Sequence, residues 1–267
     1  MAASDRPLAR PLAVVTGAST GIGYELAKCC GEHGYDLIVA ADEEEIYTAA
    51  DAFRALGTNA IAIEADLATG AGVEKLWNAI QGNDQPVELL LANAGRGLGK
   101  GFLDQDLTGV RHVIDTNITG TLYLIHKVGN VMRQNGRGRI LITGSIAGFV
   151  PGTYHAVYNG TKAFLDSFSY ALRHELWDSG VTVTCLMPGA TETDFFERAE
   201  LEDTKLGQAR KADPADVARE GFRAMLRGEG EVITGWQNKL RAAISLLLPA
   251  DASAEMHRRS AEPQHPH

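Results

Sequence analysis

Pro11-Leu-Ala-Val-Val-Thr16 leads directly into Gly17-Ala-Ser-Thr-Gly-Ile-Gly23. The first six residues are a short apolar run typical of a buried strand. After the glycines, Ile22, Leu26 and Cys29 recur at helical spacing. Strand, glycine turn and helix N-terminus together form a phosphate-binding loop, because glycines allow close backbone approach and the helix offers unpaired N–H groups. A plain structural turn is the alternative, since the spacing is Gly-x-x-x-Gly-x-Gly rather than the dinucleotide fingerprint Gly-x-Gly-x-x-Gly.

Apolar strands and helices continue to alternate along the chain. Strands are predicted near residues 12–16, 36–41, 59–65, 87–92, 138–143, 181–186 and 231–234. The longest helices are predicted over about 105–134 and 158–177. This alternation predicts an α/β fold with one Rossmann-like, doubly wound parallel sheet of about seven strands and helices on both faces.

The composition is that of a single globular domain. A chain of 267 residues with 45% hydrophobic content can bury one large core. We predict an N-terminal extension over 1–10, one domain over 11–249 and a loose polar tail over 250–267. No run approaches the ~20 apolar residues of a membrane span, and the first residues lack an apolar signal core.

Charge and cysteine content narrow the class of function. The net charge of −9 argues against nucleic acid, whose phosphates attract a basic surface. Three cysteines make no disulfide framework, so we expect a cytoplasmic protein. We predict no metal site, because His265 and His267 lie in the polar tail without a surrounding ligand cluster.

A tyrosine and a lysine stand four residues apart in Tyr158-Asn-Gly-Thr-Lys162, and Ser145 lies thirteen residues upstream of the tyrosine. Residues at this spacing share one face of a helix. A nearby ammonium group favours the phenolate, so we expect Lys162 to lower the pKa of Tyr158 from its usual value near ~10. The alternatives are an ordinary solvated helix face for the pair and a turn residue for the serine.

Several motifs follow one another in a fixed order: Gly17–Gly23, Asn93-Ala94-Gly95, Asn117, Ser145, the Tyr158/Lys162 pair and Pro188-Gly189. This ordered set resembles the short-chain dehydrogenase/reductase family, in its compact single-domain branch. The resemblance runs from about Leu12 to about Gly235.

The resemblance implies contacts with a nicotinamide dinucleotide. Asp66 and Leu67 would flank the adenine ring, and Asn93-Ala94-Gly95 would lie behind the adenosine ribose. The segment after the sixth strand would hold the carboxamide and a phosphate. The expected cofactor-binding residues are Gly17, Ser19, Thr20, Gly21, Ile22, Gly23, Asp42, Asp66, Leu67, Asn93, Ala94, Gly95, Tyr158, Lys162, Pro188, Gly189, Thr191 and Thr193.

Asp42 predicts which nicotinamide cofactor is used. It ends the second predicted strand, nineteen residues after Gly23. A carboxylate there accepts hydrogen bonds from the ribose hydroxyls and repels a 2′-phosphate. Relatives that use NADP usually carry a basic residue at this strand end or before the second glycine, where this chain has Thr20. We therefore expect NAD(H) to be preferred over NADP(H); the alternative interpretation makes Asp42 the cap of the next helix.

The resemblance also implies a catalytic tetrad. Tyr158 would be the general acid and base, and Ser145 would orient the reacting oxygen. Lys162 would lower the pKa of Tyr158 and bind the nicotinamide ribose. Asn117 would hold a water that connects Lys162 to solvent. A structural asparagine inside a helix is the alternative for Asn117.

The substrate pocket is predicted from three segments, 96–101, 146–155 and 190–212. Arg96 and His155 either recognise a polar group or are ordinary rim residues. The charged stretch 197–211 is expected to act as a lid. The pocket mouth is expected to be apolar, which favours a hydrophobic substrate, and to include Ile146, Phe149, Val150, Phe195 and Phe196.

The expected function is NAD(H)-dependent interconversion of a secondary alcohol and a ketone. A non-catalytic NAD-binding scaffold is one alternative, and a sugar epimerase or dehydratase is another. By resemblance the chain is expected to form a homodimer or homotetramer through the helices predicted over 105–134 and 158–177.

Overall fold

Seven parallel strands form one sheet in the part of the chain that the structure describes. The computed structural model describes residues 10–199, 201, 203–209, 211–245 and 247–262. The strands are β1 (Leu12–Thr16), β2 (Asp36–Ala41), β3 (Ala60–Glu64), β4 (Val87–Ala92), β5 (Gly138–Thr143), β6 (Val181–Met187) and β7 (Glu231–Ile233). Their order is β3-β2-β1-β4-β5-β6-β7. The predicted parallel sheet is confirmed, and every predicted strand differs from the observed one by at most a residue at either end.

Helices connect consecutive strands and continue beyond the last one. They are α1 (Gly21–Glu32), α2 (Glu45–Ala55), α3 (Gly70–Gln81), α4 (Leu107–Ile114), α5 (Thr121–Gln134), α6 (Ala156–Glu175), α7 (Phe195–Arg198), α8 (Lys205–Gln208), α9 (Pro214–Leu226), α10 (Trp236–Ser245) and α11 (Ala250–Ala261). Among the described residues, no helix is long and apolar enough to cross a bilayer.

The sheet separates two buried hydrophobic layers. Alternate residues of a strand point to opposite faces, so Val15 packs with Phe53 and Phe222 on one face. Its neighbour Val14 belongs to the other layer, which includes Leu124 of α5. Helices therefore cover both faces, as a central parallel sheet requires.

The helix predicted over about 105–134 is not one regular α-helix. α4 and α5 are joined by a π-helical segment, Asp115–Gly120, which contains Asn117. Such wide turns inside α-helices occur often at functional sites, because they turn a side chain towards a new direction. Hydrophobic periodicity does not reveal the wide turn.

The prediction of a loose polar tail is wrong for residues 250–261. These residues form α11, whose Ser253 and Ala261 are buried. The helix is fixed to the loop before α6, because Thr153 Oγ1 donates to Ala254 O at 2.9 Å. Residues 263–267, including His265 and His267, lie outside the described residues.

Asn93 joins the ends of three neighbouring strands. It follows β4, and its Nδ2 donates to Thr16 O at 3.2 Å and Gly17 O at 3.3 Å. Its Oδ1 accepts from Thr143 Oγ1, at the end of β5, at 3.0 Å. One side chain therefore fixes β1, β4 and β5 at the point where the chain reverses its direction of travel across the sheet.

Asn93→Ala should lower the free energy of unfolding by about 1–3 kcal/mol, because it leaves partly buried polar groups of three strands unpaired. Urea unfolding measures the loss. Asn78→Ala, at an exposed position of α3, is the control and should change stability by less than about 0.5 kcal/mol. Equal stability of the two variants would contradict the linking role of Asn93.

Candidate active site

A cavity of about 660 Å³ lies at the carboxyl ends of the strands. Its volume is within the usual range for small-molecule sites. Residues that follow each of β1 to β6 line it, as expected where parallel strands end at one edge. It brings together all of the predicted cofactor residues: Gly17, Ser19, Thr20, Gly21, Ile22, Gly23, Asp42, Asp66, Leu67, Asn93, Ala94, Gly95, Tyr158, Lys162, Pro188, Gly189, Thr191 and Thr193.

The loop between β1 and α1 has the geometry of an anion cradle. Gly17 has φ of +63°, a conformation that strongly favours glycine. A Cβ on Gly23 would lie 1.9 Å from Gly17 O, so only glycine fits there. Thr20 precedes the helix without capping it through its side chain, which leaves the N–H groups of the first turn for an anion.

Asp42 is paired with an arginine rather than with a helix. Arg96 Nη1 lies 2.8 Å from Asp42 Oδ2, and both side chains are more than one-third exposed. The interpretation of Asp42 as a helix cap is wrong, because α2 begins after Glu44. Arg96 lines the cavity, as predicted for the segment 96–101, and its side chain lies beside the residue that follows β2.

Glu43 connects the glycine loop with the segment after β6. Ser19 Oγ donates to Glu43 Oε1 at 2.5 Å. Arg198 of α7 lies 3.0 Å from Glu43 Oε2. The hydrogen bonds and the charge of Arg198 outweigh burial and lower the pKa of Glu43. One carboxylate therefore contacts two opposite walls of the cavity.

One group of potential metal ligands stands beside this ion pair. Asp42, Asp66 and His112 place one donor atom each within 4.8 Å of one another. His112 Nε2 lies 3.5 Å from Asp66, and Arg96 is already paired with Asp42. We interpret the group as a network of polar surface side chains rather than as a metal site.

Ser145, Tyr158 and Lys162 meet at the floor of the cavity. Lys162 Nζ donates to Thr143 O at 2.7 Å and lies 5.7 Å from the centre of the Tyr158 ring. Ser145 Oγ accepts from Ala147 N at 3.1 Å, so this serine also stabilises the turn that begins there. The solvated helix face considered for the Tyr158/Lys162 pair is excluded, because Lys162 is 4% exposed.

Burial controls the protonation of this group. Burial raises the pKa of Tyr158 well above its usual value, and a hydrogen bond to Ser145 only partly opposes the shift. The prediction that Lys162 lowers the pKa of Tyr158 is therefore wrong for the protein without a bound cofactor. Burial also lowers the pKa of Lys162 to about 8, against the opposing charge of Asp166. Near neutral pH the pair is thus a neutral phenol beside a largely protonated amine.

Asn117 lies beneath the cavity and does not line it. It is fully buried, and its Oδ1 accepts from Arg96 N at 2.7 Å. Its Nδ2 donates to Arg96 O at 3.0 Å and to Thr161 Oγ1 at 2.9 Å. A Cβ on Gly95 would lie 3.4 Å from Asn117 Oδ1 and 3.5 Å from Lys162 Nζ, so both groups border the same small space.

Asp166 is a buried charge that the sequence did not single out. It stands one helical turn after Lys162, and its Oδ1 accepts from Ser145 N at 3.3 Å. A Cβ on Gly144 would lie 1.9 Å from that oxygen, and one on Gly148 would lie 2.1 Å from Oδ2. The glycines around Ser145 therefore make room for a carboxylate. Their spacing was the sequence signal that could have indicated a buried group beside Ser145.

The opposite end of the cavity is mainly apolar. The Phe195 ring lies 4.9 Å from the Tyr158 ring and about perpendicular to Phe196, 5.5 Å away. Ile146, Val150, Phe195 and Phe196 line the cavity as predicted, whereas Phe149 lines a separate shallow depression. The segment over 190–212 is closed at its base by a backbone bridge between Thr191 and Ala212.

The C-terminal helices supply a wall that the sequence prediction missed. Ile244, Leu248, Met256 and His257 line the cavity. A local signal for α11 existed, because Glu255 binds arginines placed three and four residues later in the chain. That signal predicts a helix but does not reveal where the helix packs.

A family model described as short chain dehydrogenase matches residues 11–204. The chain belongs to the short-chain dehydrogenase/reductase family. It is therefore an oxidoreductase that uses a nicotinamide dinucleotide. An uncharacterised oxidoreductase of Myxococcus xanthus is 30% identical over 243 residues, which cover 89% of this chain and 92% of the relative.

A short-chain dehydrogenase and an alcohol dehydrogenase among the solved structures share this fold. One from Sphingobium yanoikuyae, in complex with NADPH, is 27% identical with a TM-score of 0.79 and covers 89% of this chain and 94% of that one. A bulky-bulky ketone specific alcohol dehydrogenase from Comamonas testosteroni is 26% identical with a TM-score of 0.74. It covers 89% of this chain and 93% of that one.

In this oxidoreductase, Asp166→Asn should remove one contribution to the pH dependence of stability. Burial raises the pKa of Asp166 from 3.8 to about 6, so between those values the native state holds a proton that the unfolded state has lost. The stability of wild type relative to Asp166→Asn should fall across this window as the pH rises, by on the order of 1–3 kcal/mol, because the carboxamide of the variant does not titrate.

Urea unfolding between pH 4 and pH 8 measures the effect. Asp178→Asn is the control, because Asp178 is exposed, and it should keep the wild-type pH profile. If the stabilities of Asp166→Asn and wild type change in parallel across the window, the buried carboxyl makes no contribution to the pH dependence.

Proposed function

We propose that the protein interconverts a secondary alcohol and a ketone on a hydrophobic small molecule, with NAD(H) as the preferred cofactor. The observation that carries the proposal is the meeting of Ser145, Tyr158 and Lys162 on the floor of one cavity beside a glycine cradle. When bound, the nicotinamide would supply or accept the hydride. The residues of the chain would hold the two reactants and move the proton.

The cavity fits a dinucleotide. The uncapped N-terminus of α1 and the glycines of its loop would hold the pyrophosphate. Asp42 would accept hydrogen bonds from the adenosine ribose. Asp66 and Leu67 would flank the adenine, and Thr191 and Thr193 would hold the nicotinamide end.

Tyr158 would donate the proton in ketone reduction and accept it in alcohol oxidation. Its raised pKa keeps the phenol protonated at neutral pH, so a proton is present for ketone reduction. Ser145 would bind the reacting oxygen, because its hydroxyl lies within hydrogen-bonding reach of Tyr158. Lys162 would hold the nicotinamide ribose. Asn117 would connect Lys162 to solvent through the space beside Gly95, which both residues border.

The substrate end supports a hydrophobic ketone or alcohol. Val150, Phe195, Phe196 and Met256 give this end apolar walls. The similarity to the alcohol dehydrogenase of Comamonas testosteroni, described as specific for bulky-bulky ketones, points to the same substrate class. The segment over 190–212 would act as a lid, with the Arg198–Glu43 ion pair at its free side.

The structure also offers apolar surface for an oligomer. Tyr123 on α5 is 37% exposed, and Phe164 and Tyr170 on α6 are 41% and 37% exposed. We propose a homodimer or homotetramer that buries these two helices.

Tyr158→Phe should lower kcat for ketone reduction about 100-fold to 10,000-fold, because it removes the proton donor. The affinity for NADH, followed by its fluorescence, should change less than about threefold. Tyr47→Phe, at an exposed position of α2, is the control and should keep wild-type activity. Full activity of Tyr158→Phe would refute the proposed mechanism.

Asp42→Ala should raise the ratio of kcat/KM with NADPH to kcat/KM with NADH by about tenfold or more. The change removes a repelling carboxylate and frees Arg96 to bind a 2′-phosphate. Asp42→Ala combined with Arg96→Ala should lose most of this gain. Asp51→Ala, which removes an exposed carboxylate of α2, is the control. An unchanged ratio in Asp42→Ala would remove Asp42 from cofactor selection.

A further inference from the structure

Two histidines from distant parts of the chain face each other in the substrate half of the cavity. His155 precedes α6, and His257 lies on α11. Their ring centres are 5.8 Å apart, and both residues line the cavity. The His155 ring also stands edge-on to the Tyr158 ring, at 6.2 Å between centres. The pair is therefore close to the residue proposed to transfer the proton.

His155 is a core residue with an unused polar atom, not a rim residue as predicted. It is 3% exposed, and its Nε2 is buried without a hydrogen-bond partner among the described residues. A buried imidazole nitrogen without a partner is unfavourable, so its position calls for a functional reason. A substrate that reaches the histidine would provide the missing partner.

His257 has a fixed orientation. Its Nδ1 lies 2.9 Å from Thr153 O, and a carbonyl only accepts, so Nδ1 carries the proton of the neutral ring. Its Nε2 is then left as an acceptor. Thr153 also holds the backbone of α11 at Ala254. The helix and the loop before Tyr158 therefore position the two imidazoles together.

Both imidazoles are neutral near neutral pH. Burial, reinforced by the neighbouring His257, lowers the pKa of His155 to about 4, and burial also lowers the pKa of His257. A neutral pair provides hydrogen bonding without charge. Because His257 Nε2 accepts, the pair matches a hydroxyl, which can both donate and accept, better than a carbonyl or a carboxylate, which only accept.

We propose that His155 and His257 bind a second, uncharged oxygen of the substrate, so that the preferred substrate is a ketone or alcohol carrying a further hydroxyl group. Val150, Leu248 and Met256 line the same cavity, and their apolar surface would take the hydrocarbon part. The inference rests on the proposed function, because it names the substrate class of the same site.

The test compares two ketones of equal chain length, 4-hydroxyheptan-2-one and heptan-2-one, with NADH. Wild type should reduce the hydroxyketone with the higher kcat/KM. His155→Phe should lower the ratio of the two kcat/KM values about tenfold, because one buried hydrogen bond is lost. His257→Phe should lower it in the same direction, and His155→Gln, which keeps a hydrogen-bonding group, should restore part of it.

His126→Phe is the matched control, because His126 is exposed on α5 and should leave the ratio unchanged. Thermal unfolding confirms that each variant is folded. A ratio that is the same in wild type and in folded His155→Phe and His257→Phe overturns the proposal.

A second measurement separates the two proposals. If wild type reduces neither ketone with NADH or NADPH, the proposed function fails, and NMR of ¹⁵N-labelled imidazoles then decides the role of the histidines. Shifts of the His155 and His257 resonances with 4-hydroxyheptan-2-one, but not with heptan-2-one, support the binding role. No shift with either ketone overturns it.

Discussion

The side-chain amide of Asn93 connects the ends of the strands to the residues that line the cavity. Its two ends bind the carbonyls of Thr16 and Gly17 and the hydroxyl of Thr143, and so hold three strand ends together. The carbonyl of Thr143 in turn accepts from Lys162 Nζ. A chain of hydrogen-bonded residues therefore runs from the glycine loop to Lys162. Because each bond is directional, a displacement of one strand end would move both the phosphate cradle and the amine.

Buried charge is the second constraint on the site. Lys162 and Asp166 are 4% and 5% exposed, and desolvation opposes the charged form of each. Their mutual attraction and the hydrogen bonds to main-chain groups offset part of that cost. Gly144 and Gly148 belong to the same arrangement, since a side chain at either position would overlap the Asp166 carboxylate. The local electrostatics therefore depend on small residues in the turn that carries Ser145.

The cofactor half of the site was largely predictable from the sequence, for a physical reason. Parallel strands end at one edge of a sheet, so the residues that follow them converge once the strands are recognised. The ion pair between Asp42 and Arg96 was not predictable, because it joins positions 54 residues apart through exposed side chains. The direction of the Tyr158 pKa shift was also missed. The spacing to Lys162 shows a neighbouring charge, but burial depends on the packing of the whole domain.

The half of the cavity proposed to bind the substrate is not built from strand ends. For this reason, α11 was mistaken for a tail. The walls of this half come from segments that share no repeated geometry with the strands, and the polar composition of α11 is typical of exposed chain. The decisive contacts are two hydrogen bonds of Thr153. Its hydroxyl donates to Ala254 O, and its carbonyl accepts from His257 Nδ1. They join residues more than one hundred positions apart and close the cavity beside Tyr158. The turns at the strand ends thus carry the residues that the family motifs identify. The residues around His155 and His257 are the ones that we propose to select the substrate.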